Sequence, residues 1–210
     1  MLKKNLKTLI ITSIITLLPM IAGIVLWNRL PEQMAIHFGM EGEPNDWSSK
    51  AVIVFGMPLF LLFIQLLCAA ATGYDPKNKH ISDKMFKLIL WIMPVVSIFT
   101  NAGIYAYALG YSVDIAMSSI ILCGILFIVV GNYMPKMKQS YTLGIKLPWT
   151  LESEENWNKT HRLGGWVFMI GGIVTIILSF TSMYWMFFII MIVIIIIPTI
   201  YSFCLHKKGI

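Results

Sequence analysis

Trp149, Trp157, His161 and Arg162 crowd into fourteen residues of a polar segment, 131–165, in an otherwise apolar chain. An imidazole can carry protons or bind a metal; an indole beside a guanidinium can hold a flat or anionic partner. Each chemistry needs particular neighbours. A zinc motif of the H-E-x-x-H kind places its ligands one helical turn apart. Here Glu152, Glu154 and Glu155 precede His161 at other spacings, and acids in a first helical turn ordinarily complement the helix dipole. His37 and Glu41 form a still weaker pair. Thr160 and His161 are no nucleophile–base pair, because adjacent helical residues point to different faces. No G-x-S-x-G, S-x-x-K or nucleotide-binding loop occurs. No catalytic residue, no metal and no cofactor are therefore expected, and the chain reads as a binding protein, not an enzyme.

Local signals predict the elements that hold these residues. Ser153 followed by Glu154 and Glu155 is a helix start, a hydroxyl cap with acids in the first turn. The helix should run through His161 into the apolar run that follows. Glu154, Asn158 and Arg162 then share one face, and Glu155 meets Lys159 at i,i+4. Trp157, His161 and Gly165 share another, so an indole, an imidazole and bare backbone come together. Pro135 should end the preceding helix, and Pro148 should break the chain again. Arg162 stands at this helix entry, which suits binding or structure as well as charge.

Only 12% of residues are charged and 58% are hydrophobic, against roughly 25% charged in soluble domains. With a mean hydropathy of +0.77, this excludes a soluble core and fits spans of about 20 residues crossing a membrane. Six stretches qualify: 9–27, 51–72, 86–109, 115–133, 163–180 and 183–203. Backbone groups facing lipid have no water to bond, so each is predicted helical. Pro19, Pro58, Pro94 and Pro198 predict kinks. The first span follows Lys3, Lys4 and Lys7, but it is longer than a signal h-region and no small-x-small site follows, so it is read as uncleaved. Cys68, Cys123 and Cys204 lie within spans as small packing residues, without a disulfide pattern.

If both termini share a side, fourteen of the sixteen Lys and Arg lie on it, and only Arg29 and Lys50 lie opposite. The positive-inside rule then makes the termini and the 131–165 segment cytoplasmic. The basic face meets anionic lipid headgroups. Its charges are spread over four segments, which argues against direct nucleic-acid binding. The outer loop, 28–50, is net acidic through Glu32, Glu41, Glu43 and Asp46. Weak alternation over 34–38, then Gly39, Gly42, Pro44, Asn45 and Asp46, predicts a small hairpin or lid. Ser48 or Ser49 should cap the second span, and Ser82 with Asp83 should open the third. Tyr105, Tyr107 and Tyr111 read as an interfacial aromatic belt with Trp27, Tyr184 and Trp185.

The span interiors hold no charge. Gln65, Asn101 and Asn132 are the main polar residues, the first two read as interhelical hydrogen bonders, and an ion-coupled transporter is disfavoured. Thr181-Ser182 permits only a helical hairpin. Gly164, Gly165, Gly171 and Gly172 repeat at seven residues, as a seam of close helix approach would.

The segment resembles the SdpI family of bacterial membrane immunity proteins. The likeness rests on Gly131-Asn132-Tyr133, Pro135-Lys136, Gly144-Ile145-Lys146, Pro148-Trp149-Thr150-Leu151, Trp157 and Thr160-His161-Arg162 with Gly164-Gly165. Leu30-Pro31, Ile36-His37, Gly42 and Asp46 resemble the uncharacterised domain that often precedes the SdpI domain. Together these cover most of the chain. The family usually carries Arg where Lys146 stands and often Thr where Leu147 stands. Lysine keeps the charge and loses the bidentate fork.

The resulting expectation is an all-α polytopic membrane protein with six transmembrane helices and both termini cytoplasmic. Residues 1–85 would form a two-helix unit with an extracytoplasmic loop. Residues 86–210 would form a four-helix domain with a cytoplasmic cassette, 134–163. The resemblance implies a bacterial cell-membrane immunity protein that binds or neutralises a secreted peptide toxin. It also implies capture of a small winged-helix transcriptional repressor at the inner surface. A transporter or exporter of a small amphipathic substrate is the alternative from another class. The site residues implied are Asn132, Pro135, Lys136, Gly144, Lys146, Pro148, Trp149, Thr150, Trp157, Thr160, His161, Arg162 and Gly164, with Pro31, His37, Gly42 and Asp46 in the outer loop.

Overall fold

The computed structural model describes residues 1–39, 42–181 and 183–210; Glu41 and Ser182, used in the expectations above, lie outside them. Six helices among them are long and apolar enough to cross a membrane. They are α1 (Leu6–Val25), α2 (Met57–Gly73, prolonged backward by a π-helical turn, Val52–Gly56), α3 (Asp83–Ala108), α4 (Ile115–Tyr133), α6 (Glu154–Ser179) and α7 (Met186–Lys207). Between α4 and α6 lies the short α5 (Pro148–Glu152), and between α1 and α2 a two-stranded sheet of β1 (Gln33–Phe38) and β2 (Pro44–Ser49). The fold is helical apart from this hairpin. The chain forms two compact units, Met1–Gly73 with Phe86–Ala116, and Tyr74–Met85 with Met117–Ile210.

In the first unit, Leu30, Met34, Ile53, Val54, Ile104 and Tyr105 form a buried cluster. Gln65 joins α2 to α1 as its side-chain nitrogen donates to Thr12 Oγ1 (2.8 Å) and its oxygen accepts from Thr16 Oγ1 (2.6 Å). Asn101 departs from expectation: it donates to the Ser97 carbonyl of its own helix at 2.8 Å, while its Oδ1 is buried without a partner among the described residues. Tyr105 also departs from the aromatic-belt reading, since its hydroxyl is buried and donates to the Pro19 carbonyl at 3.1 Å. Proline at 58 has no N–H and crowds the carbonyl four residues back. The π-helical turn at Val52–Gly56 accommodates it, with Met57 N–H reaching back to Val52 O.

The strands pair antiparallel, with an irregularity at Ile36 between the pairs Ala35↔Trp47 and His37↔Asp46. At this bulge Ile36 and His37 are both exposed, while Met34 and Ala35 are both interior, so alternation over 34–38 is weak. Lys50 is buried beneath the hairpin. Its ammonium donates to Trp27 O (3.1 Å), Leu30 O (3.2 Å) and Glu32 Oε1 (2.9 Å), and lies 4.7 Å from the Trp27 ring centroid. It thereby satisfies carbonyls of the turn that follows α1.

In the second unit, the glycine repeat serves two partners. Gly165 and Gly172 face Gly131 and Gly124 of antiparallel α4, where an added methyl would lie 2.8 and 2.5 Å from the facing carbonyl oxygens. Gly171 faces Ile194 and Ile190 of α7, and Gly164 faces Met134, Ile145 and Pro198. The outward surface of α7 carries exposed Ile192, Ile195, Ile196 and Ile200. Such a surface suits lipid, not water.

Candidate functional site

The cassette starts where α4 ends at Tyr133, a boundary set by Pro135 in the following 3-10 turn, Met134–Lys136. Pro148 does more than break the chain: it occupies the first turn of α5, where its missing N–H costs nothing. Thr150 completes that turn. Its buried hydroxyl accepts from Leu147 N–H and donates to Ile145 O, both 2.9 Å. Ser153 Oγ caps α6 by accepting from Asn156 N–H at 3.2 Å, and Glu155 pairs with Lys159 at 2.7 Å. α6 then runs unbroken through the cassette into the membrane.

Trp157 and His161 are fully buried and stack, with ring centroids 4.0 Å apart. Trp157 Nε1 donates to Met137 O at 2.7 Å. His161 Nε2 accepts from Ile145 N–H at 2.9 Å, and Nδ1 donates to Trp157 O at 2.8 Å. A backbone N–H can only donate and a carbonyl can only accept, so the ring is held as the neutral Nδ1–H tautomer. The glycine against these rings is Gly144 and not Gly165, which packs on α4. Gly144 has φ +100, and a methyl there would collide with His161 Nε2 and the Trp157 ring. A loop thus closes over the helix face that Trp157 and His161 share.

A polar knot lies beside it. Asn156 donates to Ser202 O (3.0 Å) and Ile210 O (3.1 Å), and its oxygen accepts from Thr160 Oγ1 (3.0 Å) and Ser202 Oγ (2.7 Å). Trp149 Nε1 donates to Ser202 Oγ at 2.8 Å, and its ring stacks near His206 with centroids 5.5 Å apart.

The cassette is also tied to the 74–82 connection. Buried Asp75 accepts from Tyr141 N–H (2.9 Å), Thr142 N–H (2.8 Å), Thr142 Oγ1 (2.7 Å) and Lys77 N–H (2.7 Å). Burial alone would raise its pKa, but the hydrogen bonds from Thr142, Lys77 and Tyr141 outweigh that and hold it below the ordinary Asp value of 3.8. Lys77 Nζ donates to Gln139 Oε1 at 2.6 Å, and Gln139 Nε2 donates to Thr150 O at 2.8 Å. Residues 74–82 and 139–150 therefore share one side of the second unit.

The structure brings Gly144, Thr150, Trp157 and His161 together, with Trp149 and Thr160 in the adjoining knot and Pro135 and Gly164 in the helix contacts beneath. Asn132, Lys136, Lys146 and Arg162 are exposed; Lys146 Nζ donates to Thr142 O at 3.3 Å. Pro31, His37 and Asp46 are exposed on the hairpin of the first unit, where His37 pairs with Asn45, and Gly42 adopts φ +82 in the turn. Among the described residues no group of three or more His, Cys, Asp or Glu is placed to hold a metal. Asp75, Gln139, Asn156 and Lys50 escaped the sequence reading. Lys50 carried a signal, since a lysine at a helix start opposes the dipole and so needs another role. Asp75 reads only as part of a turn, because its partners Tyr141 and Thr142 lie more than 60 residues away.

Residues 136–202, the cassette with α5, α6 and most of α7, match the SdpI/YfhL protein family. Residues 14–62 match a domain of unknown function (DUF1648). The "Immunity protein SdpI" of Bacillus subtilis (strain 168) is 29% identical over 182 residues, which is 85% of this chain and 82% of that protein. The chain is thus similar to the SdpI/YfhL family over the cassette, α6 and most of α7. It is a multi-pass cell-membrane protein. The two matched regions fall one in each compact unit, so the similarity reaches both. No solved structure matches.

Proposed function

We propose that this is an integral membrane immunity protein that protects a bacterium from a secreted peptide toxin. The observation that carries the reading is the 29% identity to "Immunity protein SdpI" across 85% of the chain. Action by binding suits a site in which His161 is buried and hydrogen-bonded at both ring nitrogens, while Lys146 and Arg162 are exposed. A second activity fits the cassette, capture of a small winged-helix transcriptional repressor. The feature that favours it is a hydrogen-bonded platform with exposed Lys138, Lys146 and Arg162, on the side that the positive-inside rule predicts to be cytoplasmic.

The two activities should separate by membrane side. Arg162→Ala and Lys146→Ala, on exposed positions, should impair repressor capture more than survival. Substitutions of His37 or Asp46 should do the reverse. One panel of variants is read twice, by survival under toxin and by a repressor-controlled reporter, with protein level checked by blot. Proportional loss of both readouts in every stable variant would refute the division. Survival no better than empty vector for the unaltered protein would refute the immunity reading itself.

A further inference from the structure

The second unit has a shallow, open recess, which Trp157 and His161 do not line. Its rim carries His80, Ser82, Lys136 and Lys138, its floor includes Ile81 and Met85, and no lining residue is acidic. Ser82 and the two lysines can donate. Ser82 Oγ accepts from Met85 N–H at 3.2 Å, which leaves its hydroxyl proton for a ligand. His80 Nδ1 donates to the Gln139 carbonyl at 3.1 Å, which fixes the ring at the edge of the recess without a part in holding the ligand. Lys136 and Lys138 are exposed, and the Lys136 ammonium lies 5.4 Å from the Tyr133 ring centroid. Ile81 and Met85 are buried. The recess also sits at a defined depth: Ser82 immediately precedes α3, and Lys136 closes the turn after α4. α3 begins and α4 ends here, where apolar spans of this length should leave the hydrocarbon.

We propose that this recess binds the phosphate of an anionic phospholipid headgroup. Lys136, Lys138 and Ser82 take the phosphate oxygens, and Ile81 and Met85 meet the glycerol and first methylenes. Inorganic phosphate offers the same charge but gains nothing from an apolar floor, and that half of the recess selects the lipid. The proposal does not depend on the immunity reading.

The test uses the purified full chain in detergent, titrated with phosphatidylglycerol, phosphatidylcholine or inorganic phosphate. Bound lipid is counted by native mass spectrometry and Tm is followed. Phosphatidylglycerol should bind with a defined stoichiometry and raise Tm, and the other two should not. Lys136→Ala/Lys138→Ala should weaken phosphatidylglycerol binding at least about tenfold, from the attraction each lysine exerts on an anionic surface. Lys136→Arg/Lys138→Arg keeps the charge and should restore binding, which guards against a misfolded alanine variant. Lys207→Ala/Lys208→Ala, another basic pair, should bind as the unaltered protein does. Equal binding by the Lys136/Lys138 alanine variant, equal loss in the Lys207/Lys208 variant, or equal stabilisation by inorganic phosphate would each overturn the proposal.

Discussion

At the scale of single residues, Asp75 and Gly144 decide whether the cassette closes. Asp75 accepts four hydrogen bonds from Lys77, Tyr141 and Thr142, and an amide in its place presents one oxygen where the carboxylate presents two. Hydrogen bonds to a charged group are worth about 1.5–3 kcal/mol, so Asp75→Asn should lower Tm in detergent at neutral pH. The pH dependence has a definite sign. A carboxylate whose folded pKa is depressed adds stability above its unfolded value and loses it as pH falls through the folded value. The gap between Asp75→Asn and the unaltered protein should therefore be constant near neutrality and shrink below the ordinary carboxylate range; a gap that widens in acid would contradict the assignment. Gly144 is tested against Gly110, which has φ +85 with open space around it. Gly110→Ala should cost only the left-handed backbone, about 1–2 kcal/mol. Gly144→Ala adds a collision with His161 and Trp157 and should lower Tm clearly further. Equal shifts would mean that the loop does not need to lie on those rings.

Among the elements, α6 does most of the organising. Its start was legible from Ser153, Glu154 and Glu155, and its glycine repeat announced close packing. The repeat could not reveal that Gly165 and Gly172 turn to α4 while Gly164 and Gly171 turn elsewhere. Heptad spacing places residues on one stripe, and the partner's own spacing, Gly124 and Gly131, decides which half of the stripe it meets. The same limit explains Gly144. Its place over Trp157 and His161 depends on a loop path that no periodicity records, so Gly165 stood in for it in the sequence reading. Spans were legible because hydropathy reports the environment of a whole helix; the bulge at Ile36 and the bonds of Asp75 were not, because each depends on a distant partner. The seam makes its own prediction. Gly172→Ala pushes a methyl onto backbone oxygen of Gly124 and should destabilise by about 1–3 kcal/mol. Gly171→Ala meets the end of the Ile194 side chain, which can turn aside, and should cost less. The reverse order of Tm values would contradict this packing.

For the whole molecule, orientation follows from charge and alternation across six spans. Fourteen of sixteen basic residues fall on one side, and that side should be cytoplasmic. In a variant lacking Cys68, Cys123 and Cys204, a cysteine at exposed Lys138 should react with an impermeant thiol reagent only after permeabilisation. One at exposed Asn45 should react in intact cells, and the opposite pattern would invert the account. Protection itself is the most direct measurement. A host sensitive to the secreted peptide toxin, expressing this chain from an inducible promoter, is challenged with toxin and survivors are counted. The account predicts survival that rises with induction and fails in a Gly144→Ala variant that does not accumulate. Unchanged killing by the toxin, with the unaltered protein present in the membrane, would contradict it.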